Sequence, residues 1–80
     1  MKIIAIYDND GKTFDCYSVY LDEVNSNGHH TVLGMSDHPC HSLGYAQHAT
    51  GIPGPHNGRK IKKSDLPVDC QDLLKNLNYV

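Results

Sequence analysis

Two clusters of turn formers, Asp8-Asn9-Asp10-Gly11 and Asn25-Ser26-Asn27-Gly28, cut the first half of this chain into three short β-prone runs. Asn and Gly reach positive φ cheaply, so Asn-Gly-type pairs between alternating apolar runs predict hairpins. Residues 1–7 hold Ile3, Ile4 and Ile6 and read as an inner strand, apolar on both faces. Residues 13–21 are rich in β-branched and aromatic types. Strand periodicity puts Phe14, Cys16, Ser18 and Tyr20 on one face and Asp15, Tyr17, Val19 and Leu21 on the other. Residues 30–36 read as a third strand, with Leu33 and Met35 opposed to Val32 and Gly34. Three such runs joined by two tight turns predict an antiparallel meander.

The second half is less regular. Residues 37–58 hold three of the four prolines, four of the six histidines and four of the seven glycines. A structureless loop of that length is unusual in so small a domain, and is functional or hides a short element. Residues 43–49 read as one or two helical turns. Residues 59–63 alternate Arg59, Lys60, Lys62 and Lys63 around Ile61, a pattern suited to a charged sheet edge. Cys70, Leu73, Leu74 and Leu77 then follow the i, i+3, i+4, i+7 spacing of a buried helical stripe. Asp65 is the expected N-cap, with Pro67 in the first turn and Asp69 complementing the helix dipole. The predicted fold is one small α+β domain over residues 1–80: an antiparallel sheet of three or four strands with the C-terminal helix packed on one face.

Composition narrows the function classes. With 39% hydrophobic residues, one Phe and no Trp, the core is small, and a domain of 80 residues is marginally stable unless a metal, disulfides or a partner helps. A net charge of -2 does not fit a chain that coats nucleic acid. Protonating all six histidines would add six charges and bring the chain to +4, so its properties drift between about pH 5 and 7. Cys16, Cys40 and Cys70 are an odd set without CxxC spacing, which predicts reduced thiols in a cytosolic setting. The N-terminal apolar run is too short for a signal peptide, and no segment reads as membrane-spanning.

Several motifs fail on counting. Gly11-Lys12-Thr13 invites a phosphate-loop reading, but the position five before Gly11 is Ile6 instead of glycine. A calcium loop counted from Asp8 wants glycine sixth and glutamate twelfth; the glycine is fourth and the twelfth residue is Val19. His38, Cys40, His41, His48 and His56 offer zinc-ligand chemistry without a knuckle spacing, which leaves a zinc-stabilised His/Cys module as an alternative. Cys40 beside His41 is sequence adjacency without the third, orienting group that a hydrolase needs, and no enzymatic activity or cofactor is expected. The basic cluster at residues 59–63 sits on a net acidic domain, where a solvated edge is the ordinary outcome, so nucleic acid is not the expected partner. Tyr7, Tyr17, Tyr20 and Tyr45 can stack on a base, but on alternating strands they read first as sheet and core residues.

One resemblance spans nearly the whole chain. Its residues are Tyr7-Asp8-Asn9, Gly11-Lys12-Thr13, Asp15, Tyr17 and Val19, then Gly34-Met35-Ser36 with Pro39, and Gly44-Tyr45 with Gln47. Gly58-Arg59 with Ile61, Asp65-Leu66-Pro67 and Gln71 complete it. Together they resemble a family of short uncharacterised proteins of bacteriophages and related mobile elements. The chain departs from the pattern at Cys16, where an arginine is expected, and in its richness in histidine. The resemblance implies a phage-type gene product acting in the host cytoplasm and supplies no catalytic residues. The leading expectation is a non-catalytic accessory protein that binds a host protein, for instance to inhibit host defence. The alternative is a small-ligand, nucleotide-like binder, built as a symmetric homo-oligomer, with Asp8, Asn9, Lys12, Asp15, Tyr45, Gln47 and His48 as the convergent polar set.

Overall fold

The computed structural model describes residues 1–10, 16–36 and 46–80. Strands β1 (Ile3–Asp8), β2 (Tyr17–Val24), β3 (His30–Met35), β4 (Ala46–Gly51) and β5 (Arg59–Ile61) precede one helix, α1 (Val68–Asn76). All strand pairings are antiparallel, and the order across the sheet is β4-β3-β2-β1-β5. The α+β class and the helix on one face agree with the expectation; the sheet has five strands instead of three or four. The first three strands form the expected meander, and β1 is an inner strand between β2 and β5.

The described residues of the two turn clusters show the local bonds their chemistry favours. Asp10 has φ 52, and its N–H donates to the Asp8 carboxylate at 2.9 Å. In the second turn the Asn25 side chain accepts from the N–H groups of Asn27 and His29, at 2.9 and 3.0 Å, and Gly28 supplies φ 80. These local bonds satisfy the backbone groups that the reversal removes from the ladder.

Residues 46–51 depart from the helical reading, forming β4 in register with β3 from Met35↔Ala46 to His30↔Gly51. Ala49 and Gln47 are good helix formers, but a short segment cannot nucleate a stable helix alone. Pairing along the open side of β3 satisfies six residues at once, so tertiary context overrides propensity. From Gly51 the chain crosses the sheet to reach β5 on its far edge, through a 3-10 turn at Pro55–Asn57.

The sheet separates two apolar layers. Ile6, Val19, Leu21, Leu33 and Met35 lie under Leu66, Cys70, Leu74 and Tyr79 from the C-terminal region. The opposite face carries Ala5, Tyr7, Tyr20 and Val32, with the Tyr7 and Tyr20 rings edge to face at 5.7 Å. This division follows the alternation expected for β2 and β3. Each fully buried aliphatic side chain contributes about 1.5–3 kcal/mol, so the helix-covered layer dominates stability.

The helix boundaries differ from the sequence reading. Pro67 is the N-cap, while the Asp65 carboxylate accepts from the Lys62 N–H at 3.0 Å and closes a separate 3-10 turn, Lys63–Asp65. Proline disfavours α geometry in the residue before it, so the helix cannot begin at Leu66. Cys70 and Leu74 are buried, Leu73 is half-buried, and Leu77 at the C-cap remains 36% exposed. The stripe therefore ends one turn earlier than its spacing suggests. Asn78 adopts φ 61, with Asn78 N–H donating to Lys75 O and Tyr79 N–H to Leu74 O, both at 3.0 Å. This paired closure of the helix end turns the chain back on the sheet. Val80 then pairs with the start of β1, through Ile3 N–H to Val80 O at 3.3 Å and Val80 N–H to Met1 O at 3.2 Å. Among the described residues, no helix is long and apolar enough to cross a membrane.

Candidate functional site

Asp8, Asn9 and Gln47 lie toward the same end of the sheet, and the register explains why. Asp8 is the last residue of β1 and pairs with Tyr17 and with Arg59; Gln47 pairs with Gly34, which in turn pairs with Ser18. Lys12, Asp15 and Tyr45 lie outside the described residues.

The polar atoms described at this end are engaged within the fold. The Asp8 carboxylate accepts from Asp10 N–H and pairs with Arg59 at 3.1 Å. Asn9 is only 4% exposed; its Nδ2 donates to Ser18 Oγ at 3.1 Å, and Ser18 Oγ lies 3.2 Å from Asn9 Oδ1 as a donor. Gly58 packs so closely on this turn that an added Cβ would collide with the Asp8 carbonyl oxygen. Tyr20 donates its hydroxyl to Asn57 Oδ1 at 2.8 Å, and Asn57 Nδ2 donates to Ile52 O and Gly54 O, both at 3.1 Å. Burial pushes the Tyr20 pKa up, and nearby Tyr7 adds to the rise. These bonds brace the crossover segment against the sheet, so Asp8, Asn9 and Asn57 act here as structural side chains.

His48 is set apart from that cluster. It pairs with Leu33 in the β3–β4 register, and its Nε2 lies 2.8 Å from the Tyr79 hydroxyl, with the two rings edge to face at 5.9 Å. Tyr79 arrives there because Asn78 reverses the chain after α1. Beside this pair, Thr31 Oγ1 donates to Glu23 Oε1 at 2.8 Å. Met1, Glu23, Thr31, His48, Ala49, Thr50 and Tyr79 line an open groove of about 700 Å³. It combines an apolar floor with a few directional groups: a carboxylate, an imidazole, hydroxyls and a phenol. Sequence reading reached His48 alone among these. Glu23, Thr31 and Thr50 are polar residues on strands, where a solvated face is the usual explanation, and Tyr79 follows the last helical turn. The signal for Tyr79 was Asn78, a residue type that takes the left-handed conformation at helix ends.

Among the described residues, no group of three or more His, Cys, Asp or Glu side chains is placed to hold a metal ion. Of the candidate zinc ligands, His38, Cys40 and His41 lie outside the described residues. His56 sits beside Asn57, with Nε2 3.3 Å from its amide nitrogen. Cys16 is half-buried and Cys70 fully buried, with the Cys70 Sγ donating to Ser36 O at 3.5 Å. The basic cluster is of mixed sign in space: Arg59, Lys60 and Ile61 share a small depression with the carboxylates of Asp8 and Asp65.

No known protein family, no curated protein and no solved structure matches this chain.

Proposed function

We propose that this chain is a non-catalytic accessory protein of the phage type that binds a host protein through the groove beside His48 and Tyr79. The observation that carries the reading is that the groove, about 700 Å³ in volume, is largely open to solvent. Small-molecule pockets bury most of their ligand's surface, which an open trough cannot do. A protein segment lying along the trough can use its apolar floor and its scattered donors and acceptors together. Occlusion of a host component, such as one used in defence, is the activity this mode of contact implies.

A nucleotide-like ligand is the weaker reading. Glu23 lines the groove with a carboxylate, which repels phosphate, while Arg59 and Lys60 lie on the opposite edge of the sheet beside Asp8 and Asp65.

The test is affinity purification from natural-host lysate with the wild-type chain and the Glu23→Arg variant, followed by titration calorimetry with the purified candidate partner. Glu23 is exposed on β2, so the substitution changes the groove without entering the core. A partner that binds the wild type and loses tenfold or more in affinity for the variant supports the reading. Equal affinity for both places the contact elsewhere and refutes it.

A further inference from the structure

The two edges of the sheet are unlike. On β5 the edge carries Arg59 and Lys60, followed at once by Lys62 and Lys63. Charged side chains, lysine above all, are how natural edges discourage pairing with another strand. The opposite edge, β4, reads Ala-Gln-His-Ala-Thr-Gly over six residues, with no Asp, Glu, Lys, Arg or Pro. It is the outermost strand of the described sheet, and residues 47–50 are exposed. A long edge without such protection is a template for strand addition.

We infer that β4 pairs with β4 of a second copy of this chain, antiparallel about a twofold axis at Ala49, joining the two sheets edge to edge. The side chains select this occupant. A twofold axis perpendicular to the sheet keeps each face on its own side, so directly opposed residues must share a face. The β3 register places His48 and Thr50 on the face of Leu33, and Gln47, Ala49 and Gly51 on the face of Val32. Centred on Ala49, the pairing opposes Ala49 to Ala49, His48 to Thr50, and Gln47 to Gly51. Each longer side chain meets a shorter one, and no like charges meet. Centring on His48 would oppose two imidazoles, which repel when protonated.

The pairing also completes the groove. His48, Ala49 and Thr50 line it from β4, so the second copy's Thr50 stands beside His48 and the two grooves become one trough on the helix-bearing face. A domain of 80 residues gains from the added burial. Five paired residues per strand cover less than a standard protein interface, so the association is weak and concentration-dependent. The inference stands apart from the identity of the host partner, because it concerns the chain alone.

The test is sedimentation equilibrium of the full chain from about 10 µM to about 1 mM, a range that reaches the weak association expected of a small interface. The expected mass rises from 8.9 kDa to twice that value. Ala49→Lys, at an exposed position, should weaken association by tenfold or more while circular dichroism stays unchanged. Opposed residues of antiparallel strands have Cα atoms about 4.5–5.5 Å apart, within disulfide reach. The Ala49→Cys variant should therefore cross-link through position 49 on mild oxidation, assigned by peptide mass against oxidised wild type. A chain that stays monomeric throughout overturns the proposal. So does a dimer indifferent to Ala49→Lys, or one that cross-links through a His48→Cys variant and not through Ala49→Cys. A monomer whose host-protein capture is lost in Ala49→Lys overturns the dimer and leaves the binding function intact, since Ala49 also lines the groove.

Discussion

Replacing Gly58 with alanine should remove a large share of this protein's stability, although the change adds one methyl group outside the apolar core. Gly58 has φ 111 and ψ −149, a region that residues with a Cβ rarely occupy. The added Cβ would overlap the Asp8 carbonyl oxygen and lie 3.0 Å from the Asp8 carbonyl carbon and 3.1 Å from Asn9 Cα. All three obstacles are backbone atoms, so no side-chain rotation relieves the contact. The backbone conformation costs about 1–3 kcal/mol. Overpacking adds about 1–3 kcal/mol. A domain of this length has roughly 4–12 kcal/mol in total, so a loss of about 4 kcal/mol is a large share. With a urea m-value of about 1 kcal/mol/M, the unfolding midpoint should fall by about 4 M, followed by far-UV circular dichroism. Gly28→Ala is the matched control: φ is 80, but nothing lies within 4 Å of the added Cβ. It should cost about 1–2 kcal/mol, from conformation alone. If the two variants unfold within about 1 kcal/mol of each other, the close approach of the crossover to the β1 turn is wrong.

Three further outcomes follow from the same contacts. Tyr20→Phe should cost about 1–2 kcal/mol by leaving Asn57 Oδ1 without its donor, measured by urea unfolding at neutral pH. The raised Tyr20 pKa makes stability fall as pH climbs above 10.0, because the unfolded chain loses that proton first, with a slope of at most about 1.4 kcal/mol per pH unit. Tyr20→Phe should flatten this alkaline loss, and an unchanged slope would contradict the burial of the hydroxyl. Leu74→Ala should cost about 2–5 kcal/mol, since Leu74 is fully buried between helix and sheet; a loss below about 1 kcal/mol in the same urea assay would contradict that packing. Arg59→Ala should cost less than about 1 kcal/mol, and added salt should erase the difference, because the Arg59 side chain is 69% exposed in its pair with Asp8. A larger, salt-resistant loss would show that the pair does more than link β1 to β5.

The sequence by itself determined the local structure. Asn25, Gly28 and the Asp8–Gly11 cluster carry their turn chemistry in their own side chains and backbone freedom, so the meander could be read before any contact was known. Alternation assigned the faces of β2 and β3, and the Cys70–Leu74 spacing identified the buried side of the helix, because both periods are fixed by backbone geometry. What only the tertiary structure decided lay wherever a residue's role depends on a distant neighbour. Residues 46–51 became β4 because β3 offered an open edge, which local propensity does not encode. Gly58 is required by the Asp8 carbonyl, fifty positions earlier in the chain. The candidate groove joins Glu23 of β2, Thr31 of β3, His48 and Thr50 of β4, and Tyr79 beyond the helix. Their convergence comes from strand order and from the chain reversal at Asn78, and no spacing in the sequence records it.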